Sequence, residues 1–133
     1  MVNRHLAATL AAVAVLASTG AAEAEAYAIT VLQALDKVSA RVSPLEVPVG
    51  ETVRFGNLEI TARACDKRPP EETPESAAFL EIVERHEGEP PVTQFVGWMF
   101  ASSPALSAME HPVYDVWVLD CKNPSTSASE TSP

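Results

Sequence analysis

The chain is poor in the groups on which chemistry most often rests. Of its 133 residues, two are cysteine, three histidine and five glycine, and nine basic residues stand against eighteen acidic ones. The resulting net charge of −9 argues against a general nucleic-acid binder, which needs a Lys/Arg patch to displace counterions. There is no Gly-rich phosphate loop, no HExxH, no GxSxG and no CxxC, so the fingerprints of nucleotide binding, zinc hydrolysis, serine hydrolysis and thioredoxin-like redox chemistry are missing. Glu71, Glu72 and Glu75 crowd together but lack the alternating Asp/Asn ligands and the Gly of a calcium loop. Cys121 runs into Lys122-Asn123-Pro124, without the His and Met that would complete a copper site. The expectation is a protein with no cofactor and no bound metal. A chain of 133 residues is one domain, too short for a TIM barrel or a two-domain dinucleotide enzyme.

Long apolar runs are missing too. Leu6 to Ala17, broken only by Thr9, falls well short of the ~20 residues that span a bilayer. Arg4 and His5 precede it. Small residues follow, then two overlapping A-x-A sites, Ala22-Glu23-Ala24 and Ala24-Glu25-Ala26. That order is the pattern of a secretory signal peptide over residues 1–26, cut near Ala24 or Ala26. It predicts a periplasmic protein with no transmembrane segment after cleavage. In that oxidising compartment the even count, Cys65 and Cys121, reads as a disulfide.

What is present is alternation. Ile29, Val31 and Leu35, then Val38, Ala40 and Val42, then Leu45, Val47 and Val49 space apolar residues at period two, as half-buried strands do. Gly50 and Gly56-Asn57 mark turns. Leu58, Ile60, Ala62 and Ala64 alternate with Glu59, Thr61 and Arg63 in the clearest strand, which runs into Cys65. Asp66 to Ser76, with three prolines, is a surface loop that a rigid scaffold could present. Phe79–Val83 reads as a central strand. His86–Pro91 reads as a turn. Phe95–Phe100 reads as a strand covered on both faces, with Gly97 marking a bulge or close packing. Ser103 as cap and Pro104 in the first turn predict a short helix over about 103–110. Val113–Cys121 is the last strand, and 122–133 a disordered Ser/Thr/Pro-rich tail. The fold class is all-β: a compact antiparallel β-sandwich or small partly open barrel with one short helix, its single domain spanning 27–121.

Five of eight aromatics fall between 95 and 117. By strand parity, Trp98 and Phe100 share one face, and Tyr114 and Trp117 lie on opposite faces of theirs. Both faces of these strands are therefore apolar, while a small sandwich has one core. Either the 103–110 helix covers the second face, which is the simpler outcome, or part of it stays open as a binding patch. The candidate binding residues are Trp98, Phe100, Tyr114, Trp117 and His111. His111 could act as a general base oriented by Glu110 or Asp115, but the bland role, a histidine bonded to backbone carbonyls, is favoured because no catalytic set is complete. The leading function is a non-enzymatic, monomeric periplasmic module that binds another cell-envelope protein, not nucleic acid. A small-molecule or glycan-binding domain is the alternative, and a hydrolase centred on His111 the third reading.

The segments CDKRPPEETPE, GWMFASSPAL and HPVYDVWVLDC, within residues 30–121, resemble a family of small exported proteins of Gram-negative bacteria filed as a conserved domain of unknown function. The resemblance implies a periplasmic protein that keeps both cysteines, and it brings no activity and no catalytic residue.

Overall fold

In a computed structural model the described residues are 24–124. The apolar leader core and most of the Ser/Thr tail lie outside that range. Within it, eight strands form two antiparallel sheets: β1 Glu25–Ala26, β2 Ile29–Asp36, β3 Arg41–Pro48, β4 Thr52–Phe55, β5 Leu58–Lys67, β6 Ser76–Glu84, β7 Val92–Phe100 and β8 Tyr114–Lys122. One sheet runs β1-β5-β6-β7, with β4 also paired to β5. The other runs β3-β2-β8. The architecture is an all-β sandwich without barrel closure. Among the described residues no helix is long and apolar enough to cross a membrane.

Period-two burial builds the core. Leu32 and Ala34 from β2, Leu58, Ile60 and Ala62 from β5, Ala78, Leu80 and Ile82 from β6, and Val116 and Val118 from β8 meet between the sheets. Full burial of each large aliphatic contributes about 1.5–3 kcal/mol. The hairpin β4–β5 closes through the two-residue loop Gly56-Asn57, with Phe55 paired to Leu58.

Simple parity misplaces both cysteines. Continuing Leu58, Ile60, Ala62 would put Ala64 inward and Cys65 outward; continuing Tyr114, Val116, Val118 would put Cys121 outward. Each strand instead carries a bulge just before its cysteine. Arg63 is skipped between Ala62 and Ala64, and Leu119 between Val118 and Asp120. One extra residue flips the face of everything after it. Cys65 and Cys121 therefore both turn into the core, 1% exposed each. They join as a disulfide with Cα atoms 5.7 Å apart, fastening β5 of one sheet to β8 of the other. Ala64 goes to the outer face, opposite Phe79.

Several expectations need correction. Residues 103–110 are not a helix: only Pro104–Leu106 make a 3₁₀ turn, and the Ser103 side chain caps nothing. A piece this short cannot offset the cost of helix nucleation. The segment instead crosses from β7 to β8 and buries Met109 at the side of the sandwich. The Pro-rich loop is shorter than Asp66–Ser76, because β5 runs to Lys67 and β6 starts at Ser76. The β7 irregularity lies at Gln94 and not at Gly97, which pairs regularly with Leu80. β7 is not covered on both faces, since Val96 is 56% and Trp98 38% exposed. Glu25 and Ala26, counted with the leader, pair with Lys67 and Asp66.

Candidate functional site

The outer face of the five-stranded sheet is where the sequence's surplus of apolar residues ends up. On β6, Ala77 and Phe79 point away from the core. On β7, Val96, Trp98 and Phe100 do the same, with Phe79 opposite Trp98 and Ala77 opposite Phe100. The Phe79 and Trp98 rings meet edge-to-face at 5.6 Å and 78°, a geometry worth ~0.5–1.5 kcal/mol beyond buried area. The Arg63–Glu81 ion pair, 2.9 Å, borders the band. An open groove of about 340 Å³ runs over Trp98, Phe100 and Ala77 to Asp66, Arg68 and Glu75.

That groove brings the Pro-rich loop against the aromatic face. The loop is closed at its base by Arg68 N–H donating to Glu75 O at 3.0 Å, and turned by Glu72 N–H donating to Pro69 O at 3.0 Å. Glu75 then ties it to the far end of β7. Its carboxylate accepts the Ser102 N–H at 3.1 Å and the Ser102 hydroxyl. Partial burial pushes the Glu75 carboxyl up, but the Ser102 bonds prevail and hold it below its ordinary value. Loop and face thus form one continuous surface.

The other predicted residues lie elsewhere. Tyr114 is in the core, 6% exposed, edge-on to Phe55 at 5.9 Å. Its hydroxyl accepts the Asn57 N–H at 3.3 Å. Trp117 sits on the outer side of the three-stranded sheet. There it lines a groove of about 320 Å³ with Pro104, Ala105, Ala108 and Met109. The structure therefore unites Trp98 and Phe100, separates them from Trp117, and takes Tyr114 away from the aromatic face, to border a different cleft between β3 and β4. Phe79, Glu75 and Ser102 were not legible as parts of the site, because only strand register and loop closure bring them there.

His111 is bonded at both ring nitrogens, and its partners are neither Glu110, nor Asp115, nor carbonyl groups. Val113 and Tyr114 N–H donate to Nδ1 at 3.0 and 3.2 Å, which leaves the ring proton on Nε2. Nε2 lies 2.7 Å from Glu84 Oε2, and the side chain is 6% exposed. Gln94 Nε2 donates to the same oxygen at 2.8 Å, and His86 Nε2 is 2.7 Å from Oε1. The His111 and His86 bonds hold the Glu84 carboxyl below its ordinary value. A general base needs a free lone pair facing substrate; here Nδ1 is occupied by backbone and Nε2 by a carboxylate. Metal binding through Nε2 would require the proton on Nδ1, where two N–H groups already point. Among the described residues no group of three His, Cys, Asp or Glu side chains is placed to hold a metal ion. The arrangement is a strap that holds the 101–113 crossing to β6.

The model of a family described as "uncharacterized protein conserved in bacteria (DUF2155)" matches residues 30–121. A curated relative, uncharacterized protein RP359 of Rickettsia prowazekii (strain Madrid E), is 33% identical over 100 residues, which cover 75% of this chain and 64% of that protein. The alignment thus takes in under two thirds of the relative's length. No solved structure matches.

Proposed function

The chain belongs to this family of uncharacterized bacterial proteins, and from its geometry we propose that it is a non-enzymatic interaction module of the cell envelope, docking another envelope protein on the Trp98–Phe100 face. One observation carries the reading: a contiguous outward apolar band on a rigid sheet, continuous with a tethered Pro-rich loop. An exposed tryptophan flanked by half-buried Phe79 and Phe100 and bounded by polar side chains is the kind of residue that serves as a binding anchor. The occupied nitrogens of His111 weigh against the hydrolase reading. The leader pattern over residues 1–26 supports export to the periplasm, where the disulfide is at home.

The grooves are open, which favours a protein surface over a closed small-molecule pocket as the partner of the aromatic band. Affinity capture from envelope extract tests this, comparing wild type with Trp98→Ser and, as a control on the opposite sheet, Trp117→Ser. The expected result is a partner retained by wild type and Trp117→Ser and lost from folded Trp98→Ser. Equal retention by all three would contradict the assignment of the face.

A further inference from the structure

Among the described residues, two arginines that are in no ion pair line the same cleft. Residues 24–124 contain eight Lys and Arg. Lys37, Arg63, Lys67, Arg85 and Lys122 are each in an ion pair with a carboxylate. Of the three others, Arg68 borders the Trp98 groove beside Glu75. Arg41 and Arg54 line a cleft of about 310 Å³ between β3 and β4, with Leu45, Phe55 and Tyr114 as its apolar wall.

Each of these arginines has an acid opposite it in the sheet, and neither forms an ion pair with it among the described residues, although Asp36 and Arg41 are close enough for their charges to interact. Asp36 is the register partner of Arg41. It lines the cleft too, but its Oδ1 accepts the Val38 and Ser39 N–H groups at 2.9 and 3.3 Å and closes the β2–β3 turn. Glu59 is the register partner of Arg54, and it is held by Arg85 at 2.6 Å. With a net charge of −9, acids are plentiful, yet neither guanidinium is in an ion pair among the described residues, and both arginines border one aromatic wall. Guanidinium is the group suited to bidentate recognition of carboxylate or phosphate. The Tyr114 hydroxyl accepts from Asn57, and its own proton has no acceptor among the described residues, so it can donate to a ligand oxygen.

We propose that the cleft between β3 and β4 binds a small oxyanion, carboxylate or phosphate monoester, carried on an apolar body. The anion meets Arg41 and Arg54, and the body lies on Phe55 and Leu45. The cleft volume is at the small end of ligand pockets, which limits the body to about one ring. This site shares no residue with the Trp98 face, so either can fail without the other.

The test is a titration of the isotope-labelled protein with benzoate, phenyl phosphate, inorganic phosphate and neutral benzyl alcohol. Amide shifts of Gly56, Asn57 and Tyr114 and the arginine Nε–H signals serve as readout. The expected result is saturable shifts with benzoate or phenyl phosphate, at least tenfold weaker binding of inorganic phosphate and benzyl alcohol, and a Kd raised roughly tenfold or more in R41Q/R54Q. The tighter of the two aromatic anions identifies the head group. R54Q alone, which leaves the Asp36 turn untouched, should weaken binding as well and guards against misfolding of the double variant. Absence of saturation with both aromatic anions, equal binding of benzyl alcohol, equal binding of inorganic phosphate, or unchanged affinity in a folded R41Q/R54Q protein would each overturn the proposal.

Discussion

Gly56 shows how much one residue can hold. Its φ is +57°, a region that side chains with Cβ adopt at a cost. A Cβ there would also overlap the Tyr114 hydroxyl and approach its ring carbons. Tyr114 is wedged between Phe55 and the His111 ring, 5.9 and 5.2 Å away, and has little room to retreat. Gly56→Ala should therefore lose about 2–3 kcal/mol in urea unfolding, combining strain and overpacking, whereas Gly50→Ala meets open space and should lose only the strain part. Glu84 carries a pH dependence with a definite sign. Its carboxyl is depressed by the bonds from His111 and His86, so it binds a proton more readily in the unfolded chain. Its stabilisation is fully present above the ordinary Glu range and drains away as the pH falls through the lower, folded value. Unfolding free energies measured from neutral pH down to about pH 3 should fall less steeply in Glu84→Gln than in wild type, with the variant about 1 kcal/mol weaker at neutral pH.

Among the elements, the 101–113 crossing depends most on side chains and least on secondary structure. It has one 3₁₀ turn, a buried Met109, and tethers at both ends: Ser102 on Glu75 and His111 on Glu84. His111→Ala strips the acceptor from two N–H groups and should cost about 1–3 kcal/mol. Limited proteolysis should then cut within 101–112 in the variant before wild type. In β2 the alternation of Ile29, Val31 and Leu35 picks the wrong face: both faces carry apolar residues, and it is Thr30, Leu32 and Ala34 that enter the core, while Val38 and Ala40, read as a continuation of the strand, lie in the turn before β3. The strands were legible as elements in β2, β5, β6 and β8, the facing of β5 was legible as far as Ala62, and Gly50 and Gly56-Asn57 stand where the chain turns. Three features were not. The capping pattern at Ser103-Pro104 signals a helix start, but Met109 is drawn into the sandwich and propensity yields to packing. The bulges at Arg63 and Leu119 leave no sequence mark, since they are set by how two strands fit each other, yet they decide that the cysteines face inward. The Phe79–Trp98 pair depends on register across β6 and β7, which local pattern cannot give.

At the scale of the whole molecule, the sandwich is two sheets pressed together over a modest core, with a single covalent link between them. The disulfide closes a separation of 56 residues. Constraint of the unfolded chain by such a loop is worth ~4 kcal/mol in the entropy model, a large share of the stability of a domain this size. Reduction, or the Cys65→Ala/Cys121→Ala variant, should lower the unfolding free energy by about that amount; a loss below ~1 kcal/mol would show that core packing alone fixes the two sheets. The exposed face behaves differently. Trp98→Ser removes the edge contact to Phe79 and the covered part of a side chain that is only 38% exposed, so stability should drop by about 1–3 kcal/mol, and capture of the proposed partner should be lost.

The proposed docking on the Trp98–Phe100 face is the centre of the account, and a site-resolved photo-crosslink addresses it most directly. A photoreactive phenylalanine analogue is placed in turn at positions 98, 100 and 117 of the full chain, in its own envelope at native abundance. The account predicts the same crosslinked envelope protein from positions 98 and 100 and none from 117. An adduct from 117 alone, or no adduct from 98 and 100 in a folded, exported protein, would contradict it.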